Sequence, residues 1–463
     1  MTGAHKSEIV SINPFNAQLI KSYTKFDLLQ LDTVLQNVSS AQQAWQKSGL
    51  PERAKLLKKL SNVLHKREQE LATLATQEMG KTLASAKAEV KKCADACDYY
   101  AEHGPAYLAH EMIASTDDIE RFISYQPLGI VLAIMPWNFP FWQVFRCLVP
   151  AMMAGNAVVL KHASNVPGCA LAIESVCREA GVPEFLLKSL LVSGSDASAL
   201  IEHPLVSAIS FTGSTDAGRK IAATAGQHLK KCVLELGGSD AYLVLEDADI
   251  DLAVEKCVTS RLLNNGQSCI AAKRFLVHSK IYGEFTEKFA TAFKRQQCGD
   301  PMLADTDVGP LARPDLVHDL AAQVAESVRL GAVVVCGGQR ASEANQDGFY
   351  PPTVLADVRP GMPAFDQEMF GPVAALIRIH SEEEGISLAN QSEFGLGAGV
   401  FSRDKTKARQ IAAQLQAGNC AVNDFVKSDV RLPFGGIKAS GYGRELSHFG
   451  LREFTNIKST VIQ

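Results

Sequence analysis

The chain has no apolar run long enough to span a bilayer. Its longest candidate, LGIVLAIMPWNFPFW, is interrupted by Pro136 and Pro140, whereas a spanning helix needs about 20 consecutive apolar residues. The opening residues, MTGAHKSEIVSINPF, contain no apolar segment of the secretory type, so a cytoplasmic location is expected. Charge of one sign is also scarce. The formal net charge is −4, which gives no reason to expect nucleic-acid or membrane partners. A paired cysteine framework is missing: there are eleven cysteines, an odd number at irregular spacing. Cys93 and Cys97 are four apart on a predicted helix, but no second pair completes a zinc site. No metal is expected, and free thiols in a reducing compartment fit the pattern. Internal repeats and low-complexity linkers are absent as well.

At 463 residues the chain exceeds one core, so two or three domains are expected. Apolar residues recur at three-to-four spacing from Phe26 to Tyr107, which predicts long amphipathic helices, with Pro51 in a first turn and Gly80 at a helix end. From Ile119 the pattern changes. IERFISYQPLGIVLAIMP alternates and then becomes continuously apolar, as an edge strand followed by a buried strand does. AVVLKHAS, SLLVSG, AISFTGS and CVLELGG follow, separated by helical text. That alternation predicts a parallel sheet in a Rossmann-like, dinucleotide-binding layout. It lacks the glycine fingerprint G-x-G-x-x-G, so alternation alone supports it. A second α/β block runs from about Ser239 to Asp429, with strand-like AYLVLEDAD, KRFLVHSKI, AVVVCGG and AALIRIH. The tail after HFGLREF is β-rich with exposed apolar residues, a pattern suited to pairing with another element or subunit.

Five places carry residues suited to chemistry. Cys269 follows Asn-Asn-Gly-Gln-Ser, a turn-forming run that can lift a thiol out of the core and leave its N–H free; a buried structural cysteine is the alternative. Glu235 ends an apolar strand before two glycines, where a partly buried carboxylate serves as a general base or simply ion-pairs. Asn138 lies between Trp137 and Phe139, fenced by prolines; its amide is a good oxyanion donor, or satisfies a local turn. FTGSTDAG places Gly213 and Ser214 at a helix N-terminus, which favours a phosphate. Lys161 ends a strand, where it reaches nucleotide hydroxyls or phosphate, or is merely solvated.

In this order, PWNF, Lys161, FTGST, LELGG, GQSC, EMFGP (Glu368 to Pro372) and PFGGIKASGYGRE (Pro433 to Glu445) resemble the aldehyde dehydrogenase superfamily along nearly the whole chain. The resemblance implies a Rossmann-like cofactor domain (residues 1–115 and 127–236), a catalytic α/β domain (237–432) and a small β arm for oligomerisation (116–126 and 445–463), in a homodimer or homotetramer. It implies that Cys269 is the nucleophile, that Asn138 and the Cys269 N–H hold the oxyanion, and that Glu235 activates water. The cofactor is then NAD or NADP, held by Pro136, Trp137, Lys161, Ser164, Thr212, Gly213, Ser214 and Leu236. Glu368 would meet the nicotinamide ribose and Phe370 the nicotinamide.

Two departures from the family pattern bear on specificity. Members that prefer NAD often carry a Glu where Ser164 stands. Its loss removes repulsion against a 2′-phosphate, and Lys161 with His162 would add attraction, so NADP is expected to be accepted. Arg146 falls where succinate-semialdehyde dehydrogenases carry a carboxylate-binding arginine, and Ser428 near another residue of that pocket. The second arginine of that pocket is Leu263 here, with Lys427 or Arg431 as candidate replacements. The related Cys-x-Cys redox pair of that subfamily is also absent, because Ala271 follows Ile270. The wider text resembles a short bacterial branch of succinate-semialdehyde dehydrogenase. The expected substrate is therefore succinate semialdehyde, with another aliphatic or semialdehyde substrate as the alternative. A cofactor-free cysteine esterase is a rival from another class, but no His stands near GQSC or LELGG to serve it.

Overall fold

The computed structural model describes residues 8–114, 119–339 and 348–463. Part of the expected arm, residues 116–118, lies outside the described residues, as do the first seven residues of the expected cofactor domain. The predicted N-terminal helices are Leu31–Trp45, Leu50–Lys66, Glu68–Met79 and Leu83–Tyr107. Pro51 sits in the first turn of the second. Gly80 ends the third in the left-handed conformation, φ 83°, which glycine adopts without a Cβ penalty.

A six-stranded sheet follows, in the order Gly441–Tyr442, Lys231–Glu235, Val206–Thr212, Ile130–Met135, Ala157–His162, Leu187–Ser189. All pairings are parallel except that of the short edge strand Gly441–Tyr442. Ile130–Met135 and Ala157–His162 are buried at every position, because helices cover both faces; this explains their unbroken apolar text. The chain leaves Ile130–Met135 first to one side and then to the other. Its carboxyl end is therefore a topological switch point, where open α/β sheets bind ligands. Lys161 and Glu235 lie at carboxyl ends of strands in this sheet, and Asn138 and Gly213 follow such ends.

The second sheet has seven strands, in the order Val333–Cys336, Thr353–Ala356, Val373–Ile379, Arg274–His278, Ala241–Val244, Gly397–Phe401, Asn419–Val422. Three of these, Thr353–Ala356, Gly397–Phe401 and Asn419–Val422, carry no strand-like signature in the sequence. Two have only four residues, and the third contains two glycines. The tail pairs antiparallel along its length, Thr455–Ile462 against Glu120–Pro127. Ile457, Val461 and Ile462 remain exposed on it. Among the described residues no helix is long and apolar enough to cross a membrane.

Candidate active site

The loop that carries Cys269 is held by its own backbone. Asn264 (φ 58°), Asn265 (φ 59°) and Gly266 (φ 76°) are consecutive left-handed residues. Asparagine tolerates that region and glycine favours it, which explains the Asn-Asn-Gly run. Gly266 is required for a second reason: a Cβ there would lie 2.3 Å from the Gly371 carbonyl carbon. Asn265 Nδ2 donates to the Gly80 and Pro310 carbonyls at 3.0 and 3.1 Å, and its Oδ1 accepts from Gly309 N–H at 3.0 Å. Lys273, fully buried, donates to the Ser268 and Cys269 carbonyls at 3.0 and 2.6 Å. Gly238 of LELGG lets the Cys269 carbonyl approach, since a Cβ would meet it at 2.7 Å. With the loop fixed this way, Cys269 is half-buried, whereas eight of the eleven cysteines are buried outright.

Asn138 is buried and donates through Nδ2 to the Gln267 carbonyl at 3.1 Å. An amide nitrogen carries two hydrogens, so one remains. No hydrogen bond of the Cys269 N–H occurs among the described residues, so that donor is also open. Glu235 is buried with both carboxyl oxygens unpartnered. Burial pushes its carboxyl well above the usual range, Glu445 adds to this, and Arg146 and Arg444 oppose it. Burial pushes the Cys269 thiol up to about 12, against the pull of Arg146 and Lys273. Cys269 at rest is a thiol that needs a base, and Glu235 is a carboxyl tuned toward accepting protons.

Arg146 does not present the open fork expected of it, nor is it on a helix surface. It is buried, ion-paired through Nε with Glu445, and it donates from Nη2 to Thr212 Oγ1 at 3.0 Å. Its guanidinium lies 5.1 Å from the Phe434 ring centroid. Among the described residues Nη1 makes no hydrogen bond, and Nε has only its ion-pair contact with Glu445. Glu445, quoted above within PFGGIKASGYGRE but given no role, supplies the compensating carboxylate. Thr212, expected at the cofactor, turns its hydroxyl to Arg146 instead.

On the cofactor side, Trp137 and Phe370 meet edge to face with centroids 5.8 Å apart, and Pro136 stands half-buried beside them. Glu368 accepts from Gly238 N–H at 3.1 Å and lies 3.6 Å from Lys273. Leu236 fills the space over Gly218. Ser214 is exposed and caps the 13-residue helix Thr215–Gln227, accepting from Ala217 N–H. Lys161 is buried and, among the described residues, in no ion pair; burial lowers its pKa. Ser164 is exposed nearby. A buried, unneutralised ammonium, an exposed serine and an open helix N-terminus fit a phosphorylated nucleotide.

His162 adds no attraction, contrary to expectation. Its Nε2 donates to the Pro140 carbonyl at 2.8 Å and its Nδ1 accepts from Ala163 N–H at 2.8 Å. That arrangement is the neutral tautomer, and burial takes its pKa down to about 4. The proposed replacements for the missing arginine also fail. Lys427 is exposed and paired with Asp424 at 2.8 Å, and Arg431 is exposed and paired with Asp429. Ser428 instead accepts from Lys92 Nζ at 2.5 Å. Lys92 and Lys273 were not singled out by sequence; Lys92 is 336 positions from its partner.

Comparison with known proteins agrees with this geometry. Residues 1–460 match the model of the aldehyde dehydrogenase family. An Escherichia coli succinate semialdehyde dehydrogenase using NAD(P)+ is 45% identical over 99% of this chain and 99% of its own. A Mycobacterium tuberculosis NADP+-dependent succinate-semialdehyde dehydrogenase is 43% identical over 98% of this chain and 99% of its own. The crystal structure of a Streptococcus pyogenes succinic semialdehyde dehydrogenase with NADP+ superposes with a TM-score of 0.94, at 36% identity, over 98% of this chain and 99% of that one. With a strand-end Glu235, a fixed Asn138 and a loop-borne Cys269 gathered at the switch point of its parallel sheet, this chain belongs to the aldehyde dehydrogenase family.

Proposed function

We propose that the enzyme oxidises succinate semialdehyde to succinate with NADP+, accepting NAD+ as well. The observation that carries the reading is the convergence of Cys269, Asn138 and Glu235, brought from three separate segments to one place with their reactive groups uncommitted. Glu235 accepts the Cys269 proton, and the thiolate adds to the aldehyde carbon to form a thiohemiacetal. The free Nδ2 hydrogen of Asn138 and the Cys269 N–H hold the oxyanion as it develops. When bound, the nicotinamide supplies the hydride acceptor. Loss of hydride leaves a thioester on Cys269. Glu235 gives that first proton up to solvent and then takes a proton from water as the hydroxyl adds to the thioester carbon; the thiolate leaves as the acid forms, and Glu235 returns its proton to the sulfur. Lys161 would hold the adenosine side of the nucleotide, with Ser164 leaving room for a 2′-phosphate, and Ser214 would serve the pyrophosphate. Glu368 and Phe370 would position the nicotinamide end.

The names of the relatives support the substrate, and so does a cation-rich surrounding: Arg146 acts on the charges of both Cys269 and Lys92. The exposed apolar face of Thr455–Ile462 supports association of subunits through the arm. A cytoplasmic site of action follows from the same metabolic reading. The domain limits read from sequence are kept as part of the proposal, and Gly441–Tyr442 is assigned to the cofactor domain because it pairs with that sheet. An aldehyde panel with NADP+ and NAD+, read by absorbance of the reduced nicotinamide, tests the proposal. Succinate semialdehyde should give the highest specificity constant; a higher value for an uncharged aldehyde would overturn the substrate assignment.

A further inference from the structure

Two cations meet where helix Leu83–Tyr107 packs on helix Trp142–Met153. One is Arg146, whose charge Glu445 compensates. The other is Lys92, and among the described residues no carboxylate lies within ion-pair distance of it. Its Nζ instead donates to Ser428 Oγ at 2.5 Å and sits 4.3 Å from the centre of the Trp142 ring. Burial and then the neighbouring Arg146 charge pull this ammonium down to about 8, against the opposing pull of Cys93, Glu89 and Asp429.

That arrangement suits an anion. An ammonium has three hydrogens, and only one is engaged by Ser428. Because the Ser428 hydroxyl accepts from Lys92, its own hydrogen is free to donate elsewhere. Lys92 and Ser428 thus offer two convergent donors beside an indole face able to pack methylene groups. Ser428 is itself buried, 8% exposed, so its hydroxyl is not simply a solvated surface group. The other nearby cations, Lys427 and Arg431, are committed to carboxylates of their own.

We infer that Lys92, acting with Ser428, binds the carboxylate of the semialdehyde substrate and supplies the cation that Leu263 does not. This inference rests on the substrate reading proposed above. It assigns the selectivity for a charged aldehyde to a helix that contributes no residue to the chemical steps.

The test compares succinate semialdehyde with an uncharged aldehyde of the same chain length in the wild type, Lys92→Met and Lys92→Arg enzymes. For Lys92→Met, the ratio of the two specificity constants should fall by about tenfold or more, through KM for the semialdehyde rather than kcat. Lys92→Arg should recover much of the ratio. If Lys92→Met fails to fold, Lys92→Gln, which keeps a donor toward Ser428, carries the same expectation. An unchanged ratio, or a parallel fall with both substrates, overturns the role of Lys92 while leaving the substrate reading in place. A wild-type enzyme with no preference for the charged aldehyde defeats the substrate reading and the inference together.

Discussion

Replacing Arg146 with Met should destabilise the enzyme in a way that depends on pH. Arg146 and Glu445 are 2% and 4% exposed, and Glu235, a second unpartnered carboxyl, is close enough for Glu445 to raise its pKa. Arg146→Met keeps the volume and removes the charge, leaving a buried carboxyl with no cation. Glu445 can stay charged, at a cost of about 3–5 kcal/mol for a broken buried pair. It can instead take up a proton, which from its ordinary value of 4.5 costs about 1.4 kcal/mol per pH unit, or about 3 kcal/mol at neutral pH. The cheaper route sets the loss, so about 3 kcal/mol is expected near pH 7. Without Arg146 the folded pKa of Glu445 rises further above its unfolded value. The protonated carboxyl then fits the fold at low pH, and stability is lost as pH rises through the folded value. The deficit should therefore shrink toward zero at about pH 5 and be largest at about pH 8. In the double variant Arg146→Met/Glu445→Gln both charges are gone, and most of the stability should return. Midpoints of thermal unfolding at the two pH values give the comparison. A deficit that does not change with pH, or a double variant that loses the sum of the singles, would refute the reasoning.

Two other perturbations address the loop and the cofactor. Gly266→Ala combines a positive φ with a 2.3 Å overlap on Gly371. It should cost about 2 kcal/mol or more of stability and strongly reduce kcat, as measured by unfolding and turnover; normal values would show that the loop tolerates a side chain. Ser164→Glu restores a carboxylate next to Lys161 and should lower the specificity constant for NADP+ relative to NAD+ by about tenfold or more; an unchanged ratio would place the 2′-phosphate elsewhere.

Local signals made much of this molecule legible from sequence. The Asn-Asn-Gly run reports left-handed backbone, the paired glycines after Glu235 report the close approach of the Cys269 carbonyl, and strands buried on both faces report themselves as unbroken apolar text. What was not legible depended on distant partners. Arg146 reads as a free fork until Glu445, far along the chain, is seen beside it. His162 reads as a cation until Pro140 and Ala163 fix it as neutral. Lys427 and Arg431 attract notice because they flank Ser428 in sequence, yet each is bound to its own neighbouring aspartate. Lys92 lies in ordinary amphipathic helix text, and only packing brings it to Ser428. The strands Thr353–Ala356, Gly397–Phe401 and Asn419–Val422 are short or glycine-bearing, so their place comes from the sheet around them rather than from propensity.

The central claim is that Cys269 carries the acyl group until Glu235 delivers water to it. Glu235→Gln keeps the side-chain volume and removes the base. Treated with NADP+ and succinate semialdehyde at a pH high enough to supply thiolate, this variant should gain the mass of one succinyl group per subunit, mapped to Cys269. It should also release no more than one equivalent of reduced nicotinamide, and the additional change Cys269→Ala should abolish the adduct. Sustained turnover by Glu235→Gln, or an adduct that maps to any other residue, would contradict the account.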